Sequence, residues 1–232
     1  MRIRTLSFVL VAISFLSARA QAPEVHAFVD DVIATAEAVR DSRFLTLGRL
    51  IDPDGVELPL EIEVRLLPSE SAASAYIVQP DALADNIIVL EGDVVYNYTF
   101  LTHQITIFDA DDPDALGGLL GAGGADDLDV DVTFDVRHHL EGFVPTMIGP
   151  EETPYGPAWT VRFDNVEEDV QVASFDAVVP EATMLPYSFR VRNAAGETWA
   201  ELFFEDLVLD EGLTVEDVTY LPEDAERIDL RD

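Results

Sequence analysis

The feature that most constrains the fold is a change in hydrophobic period along the chain. Apolar residues recur from Val25 to Val39 at three-and-four spacing, which predicts one amphipathic helix. After Ser42 the period becomes two, and about ten or eleven short alternating segments follow, bounded by turn residues. One helix followed by so many strands predicts a mainly β protein with a flanking helix (α+β).

The clearest alternation lies in residues 58–67, where Ile62 and Val64 share one face and Glu61 and Glu63 the other. With residues 44–50 this segment predicts a hairpin across the turn at 52–55. Short turns between consecutive strands favour a single curved antiparallel sheet or a half-open β-barrel, formed by one domain over residues 21–232. The remaining predicted strands are 75–78, 86–90, 94–98, 104–108, 129–136, 159–163, 170–175, 187–192, 198–204 and 218–221.

Residues 1–20 have the features of a signal peptide. Arg2 and Arg4 precede an apolar run over residues 5–16, and Ala18 and Ala20 are the small residues that a signal peptidase recognises. The run is shorter than the roughly 20 residues of a membrane span, although an uncleaved anchor is the alternative. We therefore expect a soluble mature protein that is exported across the inner membrane, with the periplasm as its location.

Charge and cysteine content exclude several classes of function. The chain has 13 basic residues, all of them Arg, and 46 acidic residues, for a net charge of −33. Such a surface repels nucleic acid, so no nucleic-acid partner is expected. A salt-adapted or GC-rich source would produce the same acidity. The absence of cysteine excludes disulfides, thiolate metal sites and lipidation of an N-terminal cysteine.

No motif in the sequence indicates catalysis. His138 and His139 are adjacent and would point to opposite faces of a strand, and the other two histidines stand alone. The acidic clusters at 109–114 and 126–131 lack the spacing of a calcium-binding EF-hand loop. The glycine-rich segment 117–124 lacks the Lys-Ser/Thr of a phosphate-binding loop. We expect no enzyme activity, no metal and no cofactor.

Three stretches of the chain carry a resemblance to a known family. The first runs from Gln79-Pro80-Asp81 through the strand at 87–90 and the turn Glu91-Gly92-Asp93 to the strands at 94–98 and 104–105. The second is 183–187, followed by the turn at 193–196, and the third is the closing strand at 203–213 with the segment 221–226. In these stretches the chain resembles the LolA/LolB family of outer-membrane lipoprotein carriers.

The resemblance implies a half-open barrel with the N-terminal helix on its concave face and an apolar cavity beneath that helix. It also implies a carrier of lipoprotein acyl chains or phospholipid, with an inner-membrane exporter and an outer-membrane acceptor as partners. Carriers of this family often have an Arg followed by Pro near the end of the early hairpin, and that Arg is implicated in closing a lid. Here Arg65 is followed by Leu66, so the motif differs at this point.

From the helix stripe and the apolar sheet positions we predict a lipid-binding set and a lid. We expect a monomeric carrier, and transfer of acyl chains toward the outer membrane would need both the lipid-binding set and the lid. The glycines around 116–121 give the predicted lid its backbone freedom. The lipid-binding set is Phe28, Val29, Val32, Ile33, Ile62, Val64, Leu66, Ile105, Ile107, Val132 and Phe134, and the lid is Leu116, Leu119 and Leu120.

Two other interpretations of the same pattern stay open. The first is an envelope sensor or protein-interaction module on this fold, without lipid transport. The second is a structural domain whose helix and sheet pack into a filled core. If the lipid-binding set is right, replacing Val64 or Ile107 by Glu should abolish lipid binding in a protein that still folds.

Overall fold

The computed structural model describes residues 23–51, 55–112, 115, 136–167 and 172–231. The predicted N-terminal helix is confirmed as α1, Val25–Glu37. The Glu24 carboxylate caps this helix by accepting hydrogen bonds from the backbone N–H groups of His26 and Ala27. Phe28 and Ile33 are the buried residues of α1.

The strands form one open sheet of twelve strands, in the order β12-β6-β5-β4-β3-β2-β1-β11-β10-β9-β8-β7. Pairing of β1 with β11 joins the two halves of the sheet. Three short helical segments complete the described fold: the 3-10 turn Pro68–Glu70, α2 (Val136–His139) and α3 (Val215–Val218). The strands are β1 Ser42–Ile51, β2 Glu57–Leu67, β3 Ala72–Gln79, β4 Ile87–Glu91, β5 Val94–Thr99, β6 Gln104–Asp109, β7 Phe143–Thr153, β8 Gly156–Asn165, β9 Ser174–Pro180, β10 Ser188–Arg192, β11 Thr198–Leu209 and β12 Glu226–Asp229.

The prediction of a mainly β protein with one large sheet is confirmed, but its strand count and direction need correction. The sheet is mixed, because β12 pairs in parallel with β6 while the other strand pairs are antiparallel. The predicted strand at 218–221 is wrong, since Val218 ends the short helix α3. His138 and His139 lie in helix α2 rather than in a strand. Residues 129–135 of the strand predicted there lie outside the described residues.

The two faces of the sheet are covered by different ends of the chain. Phe28 of α1 packs against β8 and β9, and we call this side the helix face. On the other side, Val218 of α3 packs against Leu67, while Ala225 packs against Ile105; we call this side the tail face.

Polar contacts hold the C-terminal residues in place on the tail face. Arg65 donates from Nη1 to the backbone carbonyl of Asp217, over 2.8 Å. Thr214 and Asp217 form a capping box at the start of α3, each side chain accepting from the other's backbone N–H. Arg65 therefore anchors the segment after β11, on the face opposite α1.

A row of alternating charges crosses the tail face on five neighbouring strands. Arg49, Glu201, Arg190, Asp176 and Arg162 are successive register partners on β1, β11, β10, β9 and β8. Each neighbouring pair of this row except Arg190 and Asp176 forms a direct ion pair, with separations of 2.6–2.7 Å. The row places opposite charges next to one another across five strands, and we call it the charge row.

Candidate functional site

Two lines of apolar side chains run across the strands on the helix face. Register partners across a sheet point to the same side, so each line is one continuous surface. Neither line contains an ionisable side chain. The first line consists of Leu60, Gly48, Leu202, Phe189, Ala177, Val161 and Met147, and the second of Leu66, Ala73, Leu90, Val95 and Phe108.

Five phenylalanine rings form a connected ribbon along the same face. The ring of Phe204 lies 5.4 Å from Phe44 and 5.5 Å from Phe189, both with edge-to-face geometry. Phe175 continues the ribbon, 5.8 Å from Phe189 and stacked 4.7 Å from Phe163. All of these rings except Phe163 are half-buried, so the ribbon retains accessible apolar surface. We call these five rings the aromatic ribbon.

Helix α1 lies over the β8–β9 end of the ribbon. Phe28 is 6% exposed and belongs to one cluster with Trp159, Val161 and Phe163. Val29 and Val32 are partly buried against the same cluster, as predicted for one apolar stripe. Ile33 is buried as well, with 4% exposure. Phe28, Val29 and Val32 therefore pack against the sheet, and Ile33 is buried.

The predicted residues of β2 also lie on the helix face. Ile62 pairs with Thr46, Val64 with Phe44, and Leu66 with Ser42. Ile62 is 8% exposed, whereas Val64 and Leu66 are half-buried. Val64 is the direct neighbour of the first ring of the aromatic ribbon, so β2 extends this surface beyond β1.

The structure does not bring Ile105 and Ile107 to this surface. Ile105 is the last member of a register series that begins at Glu63 and passes through Tyr76, Ile87 and Tyr98. Glu63 lies on the tail face, so Ile105 and Ile107 lie there too. They are buried, with 0% and 7% exposure, in a cluster with Tyr98 and Ala225. Phe108, next along β6, faces the helix side instead.

This placement leads to a prediction that separates packing from binding. Ile107→Val should lower the free energy of unfolding by about 1 kcal/mol, because it removes one buried methylene beneath the C-terminal segment. Uptake of an apolar probe on the helix face should not change. Urea unfolding and a probe titration measure the two quantities, and a loss of probe uptake would contradict the assignment of Ile107 to the tail face.

The other members of the predicted set lie outside the described residues. These are Val132, Phe134 and the three lid leucines, Leu116, Leu119 and Leu120. The predicted signal peptide, residues 1–20, also lies outside them. Their roles stay predictions.

The aromatic ribbon was missed by the sequence analysis. Each of its rings occupies an apolar position of an alternating strand, but Phe44, Phe189 and Phe204 come from three different strands. Their association depends on the register of β1, β11 and β10, which the period alone does not give. The one available signal was the repeated Phe at inward strand positions.

The described residues contain no cluster of three or more His, Asp or Glu side chains placed to hold a metal ion. In the same part of the chain, no helix is long and apolar enough to cross a membrane. The chemistry that the helix face offers is burial of an apolar chain against aromatic and aliphatic side chains.

Solved structures with the same fold span most of this chain. An uncharacterized conserved protein from Thermus thermophilus matches at a TM-score of 0.60 and 17% identity, over 88% of this chain and 98% of that one. Lipoprotein LppX from Mycobacterium tuberculosis matches at 0.51 and 10% identity, over 82% and 96%. MucB matches at 0.52 and 11% identity, over 87% of this chain and 64% of its own.

No protein-family profile matches the sequence, and no curated protein matches it either. The matched structures also include a LolA superfamily protein from Nitrosomonas europaea, at a TM-score of 0.40 and 11% identity over 86% of this chain and 99% of that one. At such identities a structural match establishes the fold alone. The resemblance that the sequence indicated is confirmed at that level, and the chain has a LolA-like fold.

Proposed function

We propose that this protein is a carrier in the cell envelope that holds acyl chains of lipoproteins or other lipids on its helix face. The observation that carries the proposal is the aromatic ribbon. It runs from β8, beneath α1, to Phe44 on β1. The half-buried rings of Phe204 and Phe44 lie outside the cluster that contains Phe28, so they offer apolar surface away from the helix. The fold similarity to LppX, which is a lipoprotein, supports a setting in the cell envelope.

Energetics favour such a surface for a carrier. Burying one methylene stabilises by about 0.8 kcal/mol, so a 16-carbon chain offers at most about 13 kcal/mol. A carrier must come close to this value to move a lipid through water. Transfer from one apolar surface to another is then nearly neutral, because both remove the chain from water.

For residues outside the described ranges, the proposal rests on the sequence alone. Leu116, Leu119 and Leu120 would form a lid that limits loss of the chain to water. The signal peptide would deliver the protein to the periplasm. The net charge of −33 would keep the carrier away from anionic membranes between transfers.

The experiment is a native mass spectrum of the full chain, expressed in a bacterium and purified without detergent. We expect a mass excess that extracts into organic solvent as phospholipid or acylated peptide. A clean apo mass, together with no uptake of a fluorescent acyl probe, would overturn the carrier proposal.

Substitution on the helix face supplies the matched test. Phe204→Glu and Val64→Glu should each weaken uptake of the acyl probe by at least about tenfold, because a carboxylate would have to be desolvated beside the bound chain. Leu47→Glu is the control, since Leu47 is also half-buried but pairs with Glu61 and Phe203 on the tail face. Far-UV circular dichroism checks that the three variants fold. Equal loss of uptake in the control would place the site elsewhere.

A second candidate function is the docking of a partner protein. The specific observation is β7, an eleven-residue strand at one end of the sheet. Val144 and Ile148 on this strand are 50% and 52% exposed, and an end strand has backbone groups free to pair with another chain. MucB, which shares the fold, appears in solved structures as a complex with MucA. A clean apo mass in the experiment above would move this candidate to first place.

A further inference from the structure

Exposed apolar side chains gather just outside the strands at one end of the sheet. Strands β1 to β6 alternate in direction, so the β1–β2, β3–β4 and β5–β6 turns lie at the same end. The antiparallel series from β1 through β11, β10 and β9 brings the last residues of β8 to this end too. Val56, Phe100, Leu101 and Val166 lie here, each more than half exposed, and we call them the apolar tips.

Turns at the opposite end have a different character. The β2–β3 connection is Pro68-Ser69-Glu70-Ser71, and the β4–β5 turn is Glu91-Gly92-Asp93. Strand β11 is followed at that end by Asp210-Glu211-Gly212. Adjacent large apolar side chains at the apex of a turn, as at Phe100 and Leu101, indicate a contact surface rather than ordinary surface composition.

The β5–β6 turn holds two of the tips on an ordered base. Leu101 is 83% exposed and Phe100 is 52% exposed. The backbone N–H of Phe100 donates to Oδ1 of Asn86 over 2.9 Å, and its carbonyl accepts from the N–H of His103 over 3.2 Å. The Tyr98 hydroxyl lies 3.0 Å from Nδ1 of His103. A turn fixed in this way loses little conformational entropy when it binds.

These hydrogen bonds also suit the turn to an apolar medium. An unpaired backbone N–H or C=O is costly where no water is present. Both backbone polar groups of Phe100 are already paired within the protein. Phe100 can therefore leave water without leaving a backbone group of its own unpaired.

The tips are spread along the sheet rather than gathered at one point. In strand order, the β5–β6 turn, the start of β2 and the end of β8 are separated by other strands. Neighbouring strands lie about 4.8 Å apart, so the tips are too far from one another along the sheet to share one pocket of a partner protein. An extended surface can contact them together, and a bilayer interface takes up apolar side chains without a matching socket.

An apolar path leads from this end to the aromatic ribbon. Leu58, next to the β1–β2 turn, is partly exposed and lies on the same face of β2 as Leu60 and Ile62. Val64 continues that face and is the register partner of Phe44, the first ring of the ribbon. A lipid chain that enters at this end meets apolar side chains along β2.

Charge decides which kind of bilayer fits this end. The three turns, residues 52–57, 80–86 and 100–103, contain five acidic residues and no arginine. The net charge of the whole chain is −33. Both features oppose an anionic lipid surface, whereas zwitterionic headgroups carry no net charge to repel them.

We propose that the apolar tips bring this end of the sheet into contact with a zwitterionic lipid bilayer, and that an acyl chain passes there between the bilayer and the helix face. The role rests on the proposed carrier function, but the membrane contact is measured independently of it. A few apolar side chains give weak and reversible binding. Reversibility suits a carrier, which must leave the membrane again.

Flotation of the full chain with phosphatidylcholine vesicles tests the contact. We expect a bound fraction that Leu101→Gln lowers by at least about tenfold, because the leucine side chain is no longer buried in the bilayer. Leu230→Gln is the matched control: Leu230 is 53% exposed and follows β12 at the opposite end of the sheet. Every variant keeps residues 1–20, so any binding by that apolar run is the same in each. Far-UV circular dichroism checks folding.

Fluorescence tests whether the turn itself enters the bilayer. Leu101→Trp should keep vesicle binding, and the added indole should shift its emission to shorter wavelength when phosphatidylcholine vesicles are present. Leu230→Trp should show no such shift. An unshifted spectrum in Leu101→Trp would overturn insertion of the β5–β6 turn.

Flotation results can overturn the contact as well. Failure to float, an equal loss in Leu230→Gln, or tighter binding once half of the lipid is phosphatidylglycerol would each do so. Acyl-probe uptake, measured without vesicles, separates this inference from the carrier proposal and should be unchanged in Leu101→Gln. Normal uptake without vesicle binding would overturn the membrane contact alone and leave the tips to a partner protein. Vesicle binding through Leu101 without uptake would support the contact and overturn the carrier.

Discussion

Asp176→Asn is expected to lower the free energy of unfolding by about 3 kcal/mol. Asp176 is 7% exposed and is the shared partner of Arg162 on β8 and Arg192 on β10. Arg162 contacts it with two nitrogens, over 2.7 and 3.1 Å. The amide of Asn keeps the shape but removes the charge, which leaves two arginines facing a neutral group. Urea unfolding measures the loss.

The same substitution should flatten the acid limb of the stability profile. Burial raises the pKa of Asp176, but hydrogen bonds from Arg162 and Arg192 more than offset this and hold the pKa below its ordinary value. The folded state therefore binds this proton less readily than the unfolded chain does. Its contribution to stability is fully present above the unfolded pKa of about 3.9 and is lost as the pH falls through the folded pKa.

Asp164→Asn is the control for both measurements. Asp164 is exposed and lies on β8, two residues after Arg162, so its replacement should change stability by less than about 0.5 kcal/mol. If Asp176→Asn were no more destabilising than Asp164→Asn, the ion pairs with Asp176 would stabilise the two arginines no more than hydration does. The charge row would then contribute little to the free energy of unfolding of the sheet at β8–β11.

The strands themselves could be predicted because one face of each is more apolar than the other. The β1–β2 hairpin follows directly from Ile62 and Val64 alternating with Glu61 and Glu63, and its register confirms it. Strand β7 was missed because Pro145, Gly149 and Pro150 interrupt its pattern. Proline is tolerated at the end of a sheet, where one side of the strand has no neighbour. Sequence rules that treat Pro as a strand breaker fail at such a position.

The choice of face failed on β6 for a different reason. Ile105 and Ile107 are the more regular apolar positions of that strand, so they were expected to face the helix. Leu221 and Ala225, from the segment before β12, pack on the tail face here, which makes both sides of β6 apolar. A strand buried on both faces has no distinguishable inner side. The information lay in the C-terminal segment, whose docking position the local pattern does not show.

Only the part of the candidate site that depends on local spacing could be predicted from the sequence. The packing of Phe28, Val29 and Val32 against the sheet, and the burial of Ile33, could be predicted because a helical stripe depends only on local spacing. The aromatic ribbon depends instead on strand order, and β1 is paired with β11, more than 140 residues later in the chain. No local pattern specifies that pairing.

Gly48→Ala is expected to lower the free energy of unfolding by about 3 kcal/mol, the upper part of the usual range for overpacking. A Cβ at this position would overlap the carbonyl oxygen of Glu201, and it would also lie 3.0 Å from the carbonyl carbon of that residue and 3.1 Å from the Cα of Leu202. All three atoms belong to the β11 backbone, which cannot move aside as a side chain can. The collision falls at the β1–β11 pairing, where the two halves of the sheet join.

Gly196→Ala provides the comparison in the same urea unfolding experiment. Gly196 has a φ of +78° and no atom within 4 Å of an added Cβ, so the cost there is limited to the left-handed backbone, about 1 kcal/mol. A larger loss at Gly48, which has no unusual φ, would show that the close approach of β11 requires the glycine. If Gly48→Ala lowered the free energy of unfolding no more than Gly196→Ala does, β1 and β11 could move apart at no cost in free energy. The two halves of the sheet would then be less firmly joined than the register implies.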